Sequence, residues 1–388
     1  MMKLMQWLRL SAMLSLILLG SACSWFGDDD DNAFQPAALT DIDERFDADS
    51  DWQAQVGDGV GEFYNKLSPV IYNNKVIAAD SYGLVAAYSL DTGEELWSTE
   101  VGSELFGGVS AATGLVAVGS TDAEVIVLDA ETGQEKWRNL VSSEIISKPA
   151  IGANRVLALS NDGKLFAMDS TSGERVWLYD RNVPALTLRG NSGVVITRGA
   201  AVTGFANGKV AVFVLETGQV AWEKRVSTPS GRSELDRVID VDSTPVVFAD
   251  TLYAVTYNGN IAAFNMRNGE VLWQRELSSF QNMSVDGQLI LVTDSNSHVK
   301  ALDRRTGASL WTQDALKYRR LTAPITFGEY VVAGDFDGYL HWFDRLEGRL
   351  VSRNSLGGGG IVADPVVEGE HLIVYTRDGS LYKFSKPN

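Results

Sequence analysis

Cysteine occurs once in 388 residues, at Cys23, and histidine three times, at His298, His341 and His371. One cysteine excludes an intrachain disulfide, so stability has to come from packing and strand pairing. The histidines are 43 and 30 residues apart, without the short spacing that places two metal ligands on one element. Long apolar runs are scarce too: the stretch from Leu10 to Leu19 is too short to span a bilayer. Basic residues are outnumbered, 33 Lys and Arg against 50 Asp and Glu for a net charge of −17, a balance that argues against a nucleic-acid partner. No Gly-x-Ser-x-Gly elbow or phosphate-binding glycine loop is found. Pairs such as Asp335/Asp337 and Asp240/Asp242 occur, but a chain with 50 acids yields them by chance. No catalytic residue, metal or cofactor is expected.

What the chain has in quantity is glycine (37) and tryptophan (10), and one relation between them recurs. Gly93/Trp97, Gly133/Trp137, Gly173/Trp177, Gly218/Trp222, Gly269/Trp273 and Gly307/Trp311 share one spacing, and Gly348 is followed at the same distance by Ser352. Successive tryptophan positions lie 40, 40, 45, 51, 38 and 41 residues apart. Between them, short alternating apolar runs are separated by Asn/Asp-Gly pairs such as Asn207-Gly208, Asp337-Gly338 and Asp378-Gly379, the mark of consecutive antiparallel hairpins. A period near 40 residues of such sequence predicts a β-propeller with one four-stranded antiparallel blade per repeat. The repeated tryptophans are expected to pack between blades, because a large apolar ring fills the wedge between two sheets.

Proline supplies a second ruler. Pro69, Pro149, Pro245 and Pro324 each precede their tryptophan-position partner by 28 residues, at the start of an inner strand where a missing N–H costs little. The same interval from Pro365 overruns the last residue, Asn388, so the final blade lacks its fourth strand. Near the other end, Asp51-Trp-Gln-Ala-Gln-Val supplies a spare strand with Trp52 at the missing position. Eight blades are therefore expected over residues 51–388, closed by pairing the N-terminal strand with the C-terminal blade and leaving no free edge between the termini.

Residues 1–22, with Lys3 and Arg9 flanking the apolar run, are organised as a secretory signal. Gly20-Ser21-Ala22 before Cys23 resembles the lipobox of bacterial lipoproteins, although Gly20 stands where most have leucine. That resemblance implies lipid attachment at Cys23. The alternative is an ordinary signal peptide with a leftover thiol. Ser24 resembles the outer-membrane sorting pattern of such proteins. Residues 23–50, with Asp28 to Asp31 in a row, read as a flexible acidic tether.

The interval from each tryptophan position to the next inner strand is 10 to 13 residues in five cases. It grows to 17 from Trp52 to Pro69, 17 from Trp177 to Val194 and 23 from Trp222 to Pro245. The last two belong to neighbouring blades and emerge on one face, where repeat proteins concentrate binding insertions. The first contains Leu186, Leu188 and Arg189; the second contains Asp240 and Asp242. Apolar anchors beside an arginine suit a protein-binding hot spot. The competing reading is that Leu186 and Leu188 sit in an inner strand and face the barrel wall.

Two resemblances bear on this choice. The Leu-Asp-x-x-Thr-Gly-x-x-x-Trp repeat resembles that of pyrroloquinoline-quinone-type propellers, so the alternative function is a periplasmic quinoprotein oxidoreductase. Many of those enzymes carry an adjacent-cysteine disulfide, which this propeller, without cysteine, cannot form. The chain as a whole resembles the BamB family, propeller lipoproteins of the β-barrel assembly machinery. It does so most specifically at Ala-Leu-Thr-Leu-Arg-Gly (185–190), Asp-Arg-Val-Ile-Asp-Val-Asp-Ser-Thr-Pro-Val-Val (236–247) and Asp-Gly-Tyr-Leu-His-Trp (337–342). The resemblance implies a non-catalytic scaffold, lipid-anchored on the periplasmic face of the outer membrane, that promotes outer-membrane protein assembly and insertion. Its implied partners are the POTRA region of BamA and, through it, the rest of the complex. Leu186, Leu188, Arg189, Asp240 and Asp242 match the stretches implicated in that binding. A weaker expectation is that blade edges receive unfolded outer-membrane protein strands by β-augmentation.

Overall fold

The computed structural model describes residues 34–387, apart from 63–64, 182–183, 185, 188–191, 230–231 and 234–236. The chain divides into two units, Met1–Ala37 and Ala38–Asn388. The second contains eight antiparallel four-stranded sheets. Blades one to seven occupy residues 70–100, 110–140, 150–179, 195–225, 246–276, 283–313 and 325–355 in turn. Blade eight combines Val366–Glu368, His371–Tyr375 and Ser380–Ser385 with Trp52–Gln55 from the other end of the chain. The closing pair runs antiparallel with Trp52 opposite Lys383 and Gln55 opposite Ser380. Neighbouring inner strands touch all the way round, blade eight meeting blade one. The expected eight-bladed ring and its closure are both present.

The glycine–tryptophan relation joins one blade to the next. Each tryptophan of an outer strand covers the glycine of the following blade: Trp97 lies on Gly133, Trp137 on Gly173, Trp311 on Gly348 and Trp52 on Gly93. A Cβ on Gly133 would come within 2.5 Å of the Trp97 ring, so only glycine fits beneath the indole. That glycine also has φ of 71°, in the left-handed region that a side chain disfavours. The indole N–H then donates to a carbonyl of the same turn, as from Trp52 Nε1 to Leu90 O at 3.0 Å and from Trp311 Nε1 to Arg345 O at 3.0 Å. Glycine thus serves the preceding tryptophan in space, not the one four residues later in sequence.

This geometry explains Ser352. Blade eight takes its fourth strand from the N-terminus, so it has no third-to-fourth turn and no glycine seat for an indole. The space is filled by the chain arriving at Trp52. Residues from Ala38 belong to the compact unit, so the final stretch of the expected tether lies on the propeller. It runs beside the outer strand of blade seven, Leu350–Ser355. Arg45 N donates to Val351 O at 2.8 Å, Ser352 Oγ to Phe46 O at 2.7 Å and Asn354 Nδ2 to Ala48 O at 3.0 Å. The Phe46 ring meets Trp342 edge-on at 5.4 Å and Tyr330 at 4.7 Å. This strap covers an edge that would otherwise offer unpaired backbone groups.

Candidate functional site

The inner strands begin within a residue of the positions set by the proline ruler. Residues just before them line a cavity of ≈ 1060 Å³ at the axis. Strand alternation sorts these residues into two rings. One position before the ruler stand Ser68, Lys148, Gly193, Thr244, Asn282 and Asp364; three positions before it stand Lys66, Phe106, Ile146, Asp242 and Phe280.

Part of the first ring is closed by hydrogen bonds between blades. Gly193 N donates to Thr244 Oγ1 at 3.2 Å, Thr244 N to Asn282 Oδ1 at 2.8 Å and Asn282 Nδ2 to Asp364 Oδ2 at 2.7 Å. The other Asp364 oxygen accepts from Ala323 N at 3.0 Å. These bonds fix the mouth of the cavity across five blades, because satisfied buried polar networks are rigid.

The two long connections open beside this wall. Between blades three and four, Leu186 is 44% exposed and precedes the inner strand Val195–Thr197. The reading that buried it in an inner strand is therefore closed for this residue. Leu188, Arg189 and Cys23 lie outside the described residues. The connection is rooted by Arg181, which pairs with Glu223 and stacks on Phe205 at 4.9 Å. Lys209 pairs with the same Glu223. Between blades four and five, Val238, Ile239 and Val241 are buried, and Tyr257 N donates to the main-chain oxygen of Asp240 at 3.0 Å.

Asp240 is fully buried, whereas Asp242 lines the axial cavity. The structure therefore brings Asp240 and Asp242 together on one buried segment, while Leu186 stands out on the neighbouring connection. Burial raises the Asp242 carboxyl to about 7, with the Asp240 charge adding to the rise and Lys66 opposing it. Such a carboxyl stays protonated in the fold after it has ionised in the unfolded chain. Stability therefore falls as pH rises from about 4 to about 7 and then levels off. Asp242→Asn should flatten that slope and gain about 1–3 kcal/mol at pH 8, measured by urea unfolding at pH 5 and pH 8. An equal change at both pH values would count against the raised carboxyl.

No group of three or more His, Cys, Asp or Glu positioned to hold a metal occurs among the described residues. His298 pairs with Asp294 at 2.9 Å, and His341 with the buried Asp335 at 2.8 Å.

A family model described as outer membrane protein assembly factor BamB matches residues 30–104, 81–313 and 295–388. The chain belongs to the BamB family. A BamB protein of Kangiella koreensis, named an outer membrane protein assembly factor, is 49% identical over 98% of this chain and 96% of its own length. The crystal structure of BamB from Moraxella catarrhalis superposes with a TM-score of 0.80 at 27% identity, over 87% of this chain and 99% of that one. A europium-containing methanol dehydrogenase reaches a TM-score of 0.73 at 14% identity, over 87% of this chain and 93% of that one, which is a likeness of fold alone. Of the stretches singled out by the BamB resemblance, Leu186 and Thr187 lie on the connection between blades three and four, residues 237–245 on that between blades four and five, and Tyr339–Trp342 in a strand of blade seven.

The sequence reading missed Lys66 and Lys148 in the wall. It already contained the signal. Counting one and three residues back from each ruler position picks out both rings.

Proposed function

We propose that this chain is a non-catalytic scaffold for outer-membrane protein assembly that docks the periplasmic POTRA region of BamA. Acyl chains on Cys23 hold it to the periplasmic face of the outer membrane, since more than one chain is needed for stable anchoring. The observation that carries the docking reading is Leu186, 44% exposed on a connection whose base is pinned by the Arg181–Glu223 pair. Exposed apolar anchors of this kind dominate interface energies once a partner buries them. Leu188 and Arg189 follow on the same connection as a second anchor and an ion-pairing group. Asp240 and Asp242 support the neighbouring connection from within. The names of the relatives give the same assembly role.

The test is copurification of BamA with the tagged, membrane-extracted protein. Leu186→Asp and Arg189→Glu should each reduce recovered BamA at least about tenfold, the loss expected of a central anchor, with thermal unfolding unchanged. Full recovery with both variants would remove this face from the docking reading.

A further inference from the structure

Lys148 is the one basic side chain of the axial wall that has no hydrogen bond or ion pair among the described residues. Its surroundings explain why. The equivalent positions of the blades on either side are Gly108 and Gly193, so no neighbouring side chain in the ring can reach its ammonium. Asp364, whose charge attracts it, already has both oxygens bonded, to Asn282 and Ala323. Glu144 accepts from Ser143 and Asn161. Lys66 donates to the main-chain oxygen of Phe280 at 3.2 Å. The Lys148 side chain is half-buried in the cavity wall, which leaves its ammonium open to a ligand in the cavity. The second ring supplies apolar surface from Phe106, Ile146 and Phe280, and the Phe280 ring lies 6.4 Å from that of Tyr257.

From this geometry we infer that the axial cavity binds a small organic carboxylate, its carboxylate on Lys148 and its apolar body against Phe106, Ile146 and Phe280. The cavity is large enough, since ligand sites of this kind enclose about 300–1,000 Å³. Leu186, the proposed docking anchor, is not part of the wall, whereas Asp242 of the neighbouring connection is.

Two wall groups titrate in the same sense for an anion. Burial lowers the Lys148 ammonium to about 8, with Asp364 opposing, and Asp242 ionises at about 7. The other titratable groups of the wall are Lys66, Glu144, Tyr257 and Asp364. Between pH 6 and pH 9 the cavity loses the Lys148 charge and gains that of Asp242. Both changes repel a carboxylate. With only about a tenth of Lys148 protonated at pH 9, affinity should fall about tenfold from this group alone.

The test is calorimetric titration of the full chain with three probes of one shape: 3-phenylpropionate, 3-phenylpropanol and 3-phenylpropylamine. The carboxylate should bind best at pH 6 and weaken about tenfold or more by pH 9. Lys148→Met should abolish its preference over the alcohol, and Lys148→Arg should retain it. Asp242→Asn should keep binding and reduce the pH dependence. Thermal unfolding of each variant separates loss of the site from loss of the fold. Equal binding of acid and alcohol, preference for the amine, no binding of any probe, or an unaffected Lys148→Met would each overturn the proposal. The probe titrations and the Lys148 variants do not bear on BamA copurification, so the two readings fail independently.

Discussion

Removing residues 1–56 should abolish the cooperative unfolding transition and leave an aggregation-prone chain, as read by calorimetry and size-exclusion chromatography. Trp52–Gln55 supplies the outer strand of blade eight, and the flanking bonds from Asp51 N to Lys383 O and from Val56 N to Gly379 O are both 2.8 Å. Without that strand the edge of Ser380–Ser385 is bare, and an unpaired edge recruits other chains. Blade one loses the indole seated on Gly93 at the same time, so both sides of the seam fail together. A single substitution separates the two contributions. Trp52→Ala keeps the backbone ladder but empties the seat, and it should cost about 2–3 kcal/mol, less than for a fully buried tryptophan because Trp52 is half-buried. Phe46→Ala should cost about 1–2 kcal/mol, since it loosens only the strap over blade seven. A deletion variant that unfolds like the intact chain would show that the ring does not depend on its closing strand.

The ring was legible because its two rulers are independent. Tryptophan spacing counted the blades, and proline spacing showed that the last blade was short by one strand. Neither could reveal which glycine receives which tryptophan, because the partner lies 34 to 47 residues ahead in the next repeat and not four residues behind. Ser352 breaks the tryptophan pattern without a reason visible along the chain. Only the strand exchange at the seam shows that its indole would have had no seat. The strap was hidden for another reason. Residues 38–50 are acidic and lack periodicity, and they are held by single contacts such as Phe46 with Trp342, which leave no pattern along the chain. In the candidate site, the interval lengths located both connections correctly. They could not distinguish Leu186, which faces out, from Asp240, which is buried, because an irregular connection has no alternation from which to read sides. Lys148 was readable in principle, since the ruler assigns it to the axis.

Asp335→Ala should destabilise the propeller by about 3 kcal/mol or more, the cost of leaving a buried ion-pair partner uncompensated. Asp335 is fully buried and accepts from Arg319 Nε at 2.7 Å, His341 Nε2 at 2.8 Å and the backbone N–H groups of Asp337 and Tyr339, each at 3.0 Å. Burial alone would raise its carboxyl, but the bonds from His341, Tyr339 and Arg319 outweigh this and hold it below the usual range. The stability it contributes is therefore present above pH 4 and lost as pH falls through the depressed value. His341 is also shifted down, because burial disfavours its cation more than Asp335 favours it. Its ring stays neutral in the fold, with Nε2–H donating to Asp335, while the unfolded histidine takes up a proton below about pH 6.5. The two groups thus act in sequence on acidification: the histidine withdraws stability from about pH 6.5 downward, and the aspartate only below about pH 4. His341→Gln should remove the first loss and leave the second, whereas Asp335→Ala should lower stability at neutral pH and abolish the second. Urea unfolding of the three proteins at pH 7.5, 5.5 and 3.5 distinguishes these patterns. An Asp335→Ala midpoint equal to that of the unmodified protein at pH 7.5 would show that Arg319 is satisfied without Asp335, for instance by Asp337, whose side chain is 46% exposed.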